Sequence, residues 1–362
     1  MYNMKYRHCR VIGSSYELGY ALGEQLRSDD ELIKGITTPL FGGEPLTAKQ
    51  VDKTARLFEK YIPGINDEIK GFSDAAGVSF TDMVIYSSYL DISGGCSHFV
   101  ITRNKDNQKS IIHARNYDYN FSDPLIMITI NHESKYDSTG FSCKIFGRFD
   151  GINEHGLCVT TSAADVRHEK PFGDGYVFPM VVRALLDTCA NVYEAKELLM
   201  EIPYAEYRNF IISDKTSAAM LVEASPVKKS YKHIDADDNY GFLCSADHYI
   251  LDQCDVIRPV EHSIVRQKVM EEKLAKEMIK TPDDVKELLS KRYPEGLSFP
   301  YYESGMGTLW SVIYDPLTAS QYTCFGSPES GVWEYVDQNC VPGCTEKIVQ
   351  LFNEQETFNL WG

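Results

Sequence analysis

Cys96 is the residue in this chain best placed to do chemistry. It stands in Ser93-Gly94-Gly95-Cys96-Ser97-His98-Phe99-Val100, directly after two glycines. Further along, Ser110-Ile111-Ile112-His113-Ala114-Arg115-Asn116-Tyr117-Asp118-Tyr119 brings a cation, Arg115, and a carboxylate, Asp118. A thiolate is a strong nucleophile, and a neighbouring cation favours it over the thiol. The alternative is a structural cysteine, because free Cys is among the most buried residue types. On local features alone the two readings stand level. Runs 97–102 and 109–116 read as strands, and the polar stretch Arg103-Asn104-Lys105-Asp106-Asn107-Gln108 reads as the turn joining them.

Other residues carry weaker signals. Asn153 lies in Gly151-Ile152-Asn153-Glu154-His155-Gly156-Leu157, where an ordinary Asx turn explains it equally well. Asp247 and His248 lie in Ala246-Asp247-His248-Tyr249, and Asn209 in Tyr207-Arg208-Asn209-Phe210. His98, His113, His155 and His248 invite a Cys–His dyad, yet a lone His is more often structural. Arg266 shares a charged helix with Ser263 and reads as a solvated helix charge. Cys340 and Cys344 form a CxxxC without a second pair or spaced histidines, so no metal is expected there. No Gly-rich phosphate loop or basic cluster appears, and no cofactor is expected.

The bulk properties exclude some partners. Across 362 residues, 43% are hydrophobic and 24% charged, enough for a sizeable core in one large domain or two smaller ones. A net charge of -16 disfavours nucleic acid and anionic membranes as partners. The 10 cysteines fall far short of a disulfide scaffold, and Cys158 and Cys244 sit in apolar runs as reduced core thiols would. The first residues lack an apolar signal region, and no run approaches the roughly 18 apolar residues of a membrane span. A cytoplasmic protein is expected.

The elements that position these residues change character at Cys96. Residues 1–90 read as mainly helical after a short strand at Arg10-Val11-Ile12. Ser14 or Ser15 caps a helix carrying Leu18, Leu22 and Leu26, with Gly19 and Gly23 on a face suited to close packing. Thr47 caps a helix running to about Ala76, broken at Pro63-Gly64, and another spans 80–90. After Cys96, strands are expected at 97–102, 109–116, 125–132, 141–149 and 157–162, with a polar turn at 150–156. Helices at 177–190 and 192–201 follow, then strands at 209–213, 218–224, 229–234 and 240–246. Helices at 259–280 and 282–291 precede strands at 308–314 and 320–325. Segregated runs of this kind predict α+β with antiparallel sheets rather than a doubly wound parallel sheet.

The chain resembles the isopenicillin N acyltransferase-like family of N-terminal-nucleophile hydrolases and, more distantly, the choloylglycine hydrolases and penicillin V acylases. The residues that carry the resemblance run in family order over nearly the whole chain. They are Ile12 to Gly23, Gly95-Cys96, Arg115-Asn116-Tyr117-Asp118, Gly151 to Leu157, Ala246-Asp247-His248-Tyr249 and Thr308 to Pro316. Each motif alone is weak, and their order makes the case.

The resemblance implies a four-layer αββα sandwich made as a precursor. Residues 1–95 would be a helical pro-segment or α chain, and 96–362 the catalytic β chain. Cys96 would attack the Gly95 carbonyl, a glycine suiting the strained turn this needs. The freed α-amino group, with a pKa near 8, would then serve as base for its own thiol. Asp118 would hold the amino and thiol end, while Arg115 would lower the thiol pKa and fix Asp118. Asp247 stands where the family often has Asn, a donor to the oxyanion. An ionised Asp would repel that charge. It is then protonated, or replaced as donor by backbone amides and Asn209, or turned to a cationic substrate group.

Asn153 and His248 are expected to bind substrate, and loops 165–176 and 292–305 to line its pocket. The implied function is hydrolysis of a small-molecule acyl amide, an N-acylated amino acid, amine or small peptide. The alternatives are acyl transfer from a thioester such as acyl-CoA to an amine, and an unprocessed member that binds a ligand or partner without catalysis. The two chains would stay associated after a cut, and a homo-oligomer is left open.

Overall fold

The computed structural model describes residues 1–38, 47–88, 95–105, 108–120, 125–164, 175–251, 259–356 and 360. The first part runs through β1 (Tyr2–Gly13), α1 (Ser15–Leu26), α2 (Asp30–Thr37), α3 (Ala48–Tyr61), α4 (Ile65–Ala76) and α5 (Phe80–Ser88). The hairpin of β2 (Gly95–Lys105) and β3 (Gln108–Tyr119) follows, then β4 (Leu125–His132), β5 (Ser138–Cys143), β6 (Gly147–Arg148), β7 (Asp150–Asn153) and β8 (Cys158–Ala163). Next come α6 (Phe178–Thr188), α7 (Val192–Glu201), β9 (Arg208–Ser213), β10 (Ala219–Ala224), β11 (Lys229–Ile234) and β12 (Tyr240–Ser245). The chain closes with α8 (Glu261–Ala275), α9 (Pro282–Ser290), β13 (Pro300–Tyr301), β14 (Met306–Asp315), β15 (Ser320–Phe325), β16 (Trp333–Tyr335) and β17 (Gly343–Leu351).

Local chemistry accounts for many boundaries. Glu17 accepts the Ser14 N–H at 2.9 Å, and Gln50 accepts the Thr47 N–H at 2.8 Å, so both helices open on a reciprocal cap. Asn191 accepts the N–H groups of Tyr193 and Glu194 and starts α7. Close packing of α1 on α4 explains two glycines. A Cβ on Gly19 would lie 1.8 Å from the Glu68 carbonyl oxygen, and one on Gly71 2.1 Å from that of Tyr16.

Two sheets stack face to face. The larger has the order β11-β10-β9-β8-β7-β5-β4-β1-β17, with β6 beside β5; the smaller has β12-β2-β3-β14-β15-β16, with β13 beside β14. Val100 and Ile111 of the smaller sheet meet Ile211, Ala219 and Leu221 of the larger between them. On the outer face of the larger sheet, Phe210 and Ile212 pack with Ala195 and Leu199 of α7. On that of the smaller, Phe99 and Ile101 pack with Met270 and Leu274 of α8 and Val285 and Leu288 of α9. The result is the αββα order of layers.

Four expectations change. Residues 1–90 are not simply helical: β1 is a twelve-residue strand between β4 and β17, with Tyr6, Cys9 and Val11 buried among Lys5, Arg7, His8 and Arg10. Its pairing with β4 is parallel in otherwise antiparallel sheets, which the long connection through five helices and the β2–β3 hairpin permits. The run 141–149 is broken where Lys144 and Ile145 take φ of 55° and 70°. The expected polar turn begins instead as β7, fully buried.

Cysteine usage also differs from expectation. Cys9 and Cys344 face each other across β1 and β17 and form a disulfide, which takes Cys344 out of any metal site. Cys158 and Cys244 are free and buried, as read from the sequence. Among the described residues, no group of three or more His, Cys, Asp or Glu is arranged to hold a metal, and no helix is long and apolar enough to cross a membrane.

Candidate active site

β2 opens at Gly95 and pairs with β3 so that Gly95 faces Asp118, Cys96 faces Tyr117 and His98 faces Arg115. Side chains alternate along a strand. Cys96 and His98 therefore point into the layer between the sheets, where His98 Nδ1 meets Thr160 Oγ1 at 2.7 Å. Cys96 is 3% exposed, and each of its polar atoms has a charged partner. Its N–H donates to Asp247 at 2.9 and 3.1 Å, its carbonyl oxygen accepts from Arg266 Nη1 at 2.7 Å, and its sulfur accepts from Arg115 Nη2 at 3.2 Å.

Arg115 and Asp118 do not pair, contrary to expectation. Three residues apart on one strand, they leave opposite faces. Arg115 enters the layer between the sheets, where Nη1 lies 3.1 Å from Asp150 Oδ2 and donates to the Phe149 carbonyl at 3.1 Å. Asp118 turns to the helical side, accepts from Thr308 Oγ1 at 2.6 Å and lies 3.6 Å from Arg266 Nη1.

Arg266 is no solvated helix charge. It is 0% exposed and ties the site together. Besides the Cys96 carbonyl it reaches Asp247 Oδ2 at 2.5 Å, Ser97 Oγ at 2.9 Å and His262 Nδ1 at 2.8 Å. Asp247 in turn divides its carboxylate between the Cys96 N–H and Arg266. Its own N–H donates to Ser263 Oγ at 2.8 Å.

Asn209 differs from expectation as well. Its Nδ2 lies 3.0–3.2 Å from Ser162 Oγ and the carbonyls of Ala163, Ala246 and His248, leaving no donor for an oxyanion. Since Ala246 and His248 flank Asp247, Asn209 braces the segment that grips Cys96. Asn153 is not brought to Cys96. Its Nδ2 donates to the carbonyls of Leu186 and Cys189, and its Oδ1 accepts from the N–H groups of His155 and Leu157, which makes it the organiser of a turn. His248 places Nδ1 2.6 Å from Ser263 Oγ on α8 and is 8% exposed. No histidine among the described residues forms a dyad with Cys96.

Gly95 packs under two side chains. A Cβ there would lie 2.4 Å from Met306 Sδ and 3.4 Å from Arg266 Nη2. Its backbone is extended strand rather than the strained turn expected, so the absence of a side chain lets Met306 and Arg266 close over the Gly95–Cys96 bond. Ser93, Gly94 and residues 165–174 of the expected pocket loop 165–176 lie outside the described residues.

Burial governs the titration of the site. It pushes the Cys96 thiol up to about 11, against the pull of Arg115 and with help from Asp247 and Asp118. Burial likewise lifts Asp118 to about 7 and Asp247 to about 6, and Arg266 opposes both shifts. His248 is driven down to about 4 by burial and then by Arg266, so it is neutral near pH 7. The resting sulfur is a thiol that needs a base, beside two carboxyls able to exchange protons near neutrality.

The sequence missed Arg266, Asp150 and Met306 as members of this site. Arg266 had a readable signal. Met270 and Leu274 define the buried face of α8, and Arg266 lies four residues before Met270 on that face.

Residues 102–330 match the sequence profile of the acyl-coenzyme A:6-aminopenicillanic acid acyl-transferase family, a stretch that holds Arg115, Asp118, Asp247 and Arg266. No curated protein matches the chain in sequence. Similar solved structures include penicillin V acylase from Agrobacterium tumefaciens, at 15% identity and TM-score 0.41, covering 70% of this chain and 90% of that one. An N-acylethanolamine-hydrolyzing acid amidase ortholog from Caenorhabditis elegans is 16% identical, with TM-score 0.43, covering 61% and 93%. A mutant conjugated bile acid hydrolase from Clostridium perfringens is 15% identical, with TM-score 0.43, covering 72% and 100%.

Proposed function

The chain belongs to the acyl-coenzyme A:6-aminopenicillanic acid acyl-transferase family, and from that premise we propose that it is a self-processing N-terminal-cysteine enzyme that hydrolyses linear acyl amides. The observation that carries the reading is the threefold hold on Cys96, whose N–H, carbonyl and sulfur each meet a buried charged group.

Processing comes first. The Cys96 sulfur adds to the Gly95 carbonyl carbon and its proton passes to a neighbouring carboxylate. The carbon–nitrogen bond breaks as the Cys96 nitrogen takes up a proton, which leaves a Gly95 thioester. Water opens that thioester, releasing the Gly95 carboxyl group and restoring the thiol. Asp247, which holds the peptide N–H in the uncut chain, then holds the new α-amine. That amine takes the thiol proton when a substrate carbonyl arrives and hands it to the departing amine. Water completes the cycle by hydrolysing the acyl-thioester. Transfer to an amine in place of water is the second reading, favoured by the name of the matched family.

The two chains remain together in this reading, since β1 lies between β4 and β17 and buried Arg183 of α6 grips Glu68 of α4 at 2.7 and 3.1 Å. The substrate is a small molecule, and self-association is left to measurement. The cytoplasmic location expected from the sequence conflicts with the Cys9–Cys344 disulfide, a bond rare where thiols are kept reduced. Cell fractionation decides between them.

Mass spectrometry under reducing, denaturing conditions tests the mechanism. Two fragments divided between Gly95 and Cys96 are expected, and an intact chain for Cys96→Ala. Incubation with a panel of acyl amides should leave a trappable acyl group on Cys96. An intact parent chain that still hydrolyses acyl amides would reassign the mechanism, and an intact, inert one would favour a binding role.

A further inference from the structure

Asp150 stands behind Arg115 as Arg115 stands behind Cys96. It is 0% exposed, on β7 of the larger sheet, and its carboxylate crosses to the smaller one. Oδ2 lies 3.1 Å from Arg115 Nη1 and accepts from Trp310 Nε1 at 3.1 Å. Oδ1 accepts from the Tyr314 hydroxyl at 2.9 Å and the Phe141 N–H at 3.3 Å. Oδ1 thus has two hydrogen-bond donors, and Oδ2 has one beside the Arg115 guanidinium. The frame is stiff, because the Trp310 ring stacks on Tyr117 at 4.0 Å and on Phe141 at 4.1 Å.

Arg115 has little freedom in this frame. Nη1 is taken by Asp150 and the Phe149 carbonyl, Nε has no hydrogen-bond partner, and Nη2 points at the Cys96 sulfur. We propose that Asp150 is the positioning residue of the nucleophile: it holds the Arg115 donor on the Cys96 sulfur and offsets part of the positive charge Arg115 brings there. Burial keeps Cys96 a thiol, and Asp150 fixes where the Arg115 donor meets its sulfur. This inference rests on Cys96 being the nucleophile, as proposed above, and neither the sequence motifs nor the family match singles out Asp150.

The sign of the effect separates this role from a structural one. The charged groups facing Cys96 are Arg115 and Asp118 on β3, Asp247 after β12, Arg208 on β9 and Arg266 on α8. Asp150→Asn keeps the shape, removes the negative charge behind Arg115 and turns one acceptor oxygen into an NH2 group facing a donor, so the field at the sulfur becomes more positive. Tyr314→Phe keeps the charge and removes one of its donors, so the field becomes more negative.

The test is the ultraviolet thiolate absorbance of Cys96 against pH, taken in the full chain as the difference from the matching Cys96→Ala protein. Asp150→Asn should lower the midpoint by about one pH unit, and Tyr314→Phe should raise it. An unchanged or raised midpoint in folded Asp150→Asn would overturn the proposal. If that variant does not fold, Tyr314→Phe decides, and an unmoved midpoint there overturns it equally. The measurement reads the sulfur whether or not the chain is cut, so a parent protein that never cleaves sinks the proposed reaction without obscuring this result.

Discussion

Arg266 Nη2 lies 2.5 Å from Asp247 Oδ2, and both side chains are buried. An acid at position 247 would leave an uncompensated charge beside Cys96 if it stood alone. Arg266 offsets part of that cost, burial still lifting Asp247 to about 6, and it donates to the Cys96 carbonyl. Asp247→Asn should thus destabilise the protein by about 3 kcal/mol, as expected when one partner of a buried ion pair is removed. Denaturant unfolding reads this, and an effect below about 1 kcal/mol would mean that Asp118 balances Arg266 unaided.

A pH dependence of stability follows from Asp118 and Asp247. Burial raises their folded-state pKa values to about 7 and about 6. The unfolded chain gives up these protons near pH 4, whereas the folded protein keeps them longer. From about pH 4 to about pH 7 the folded state binds more protons, so these two groups make stability fall as pH rises. Thermal unfolding across that range should show the decline, and Asp118→Asn should flatten it. An equal slope in the variant would remove Asp118 as its source.

Gly95→Ala should slow cleavage modestly, because the added methyl carbon would lie 2.4 Å from Met306 Sδ and the flexible Met306 side chain must shift. Overpacking of this kind disturbs a site by about 1–3 kcal/mol. Met306→Ala in the same chain makes room and should restore part of the cleavage seen by mass spectrometry. A double variant as slow as Gly95→Ala alone would show that Met306 is not the obstacle.

Much of the fold was legible where period and punctuation agreed. α7 and β11 run over the expected residues because their caps, turns and patterns are local. β1 was hidden because Lys5, Arg7, His8 and Arg10 break up its apolar positions, and only its pairing with β17 and β4 gives it a role. The site was legible in part. Cys96, Arg115 and Asp247 do converge, but Arg115 and Asp118 were matched as partners although a period of two separates them to opposite faces. Asp150 gave no local signal, since its donors come from β3, β5 and β14, far apart in sequence.

A processed protein should run as one species on a denaturing gel without reductant and as two with it, since Cys9 and Cys344 would lie on different chains. Two species without reductant would show that the bond does not form in the protein as purified. An uncut control, Cys96→Ala, should give one species either way.

β1 pairs along its length with β17, so the first residues of the chain bond to residues 343–351. Synthesis reaches that partner long after β1. Asp247, Arg266 and Met306 also follow Cys96 by a long stretch of synthesis. The bond at Gly95–Cys96 is thus made early, while the groups that press on it arrive late. On the proposed mechanism, a chain truncated before Asp247 would hold the bond without the groups that press on it.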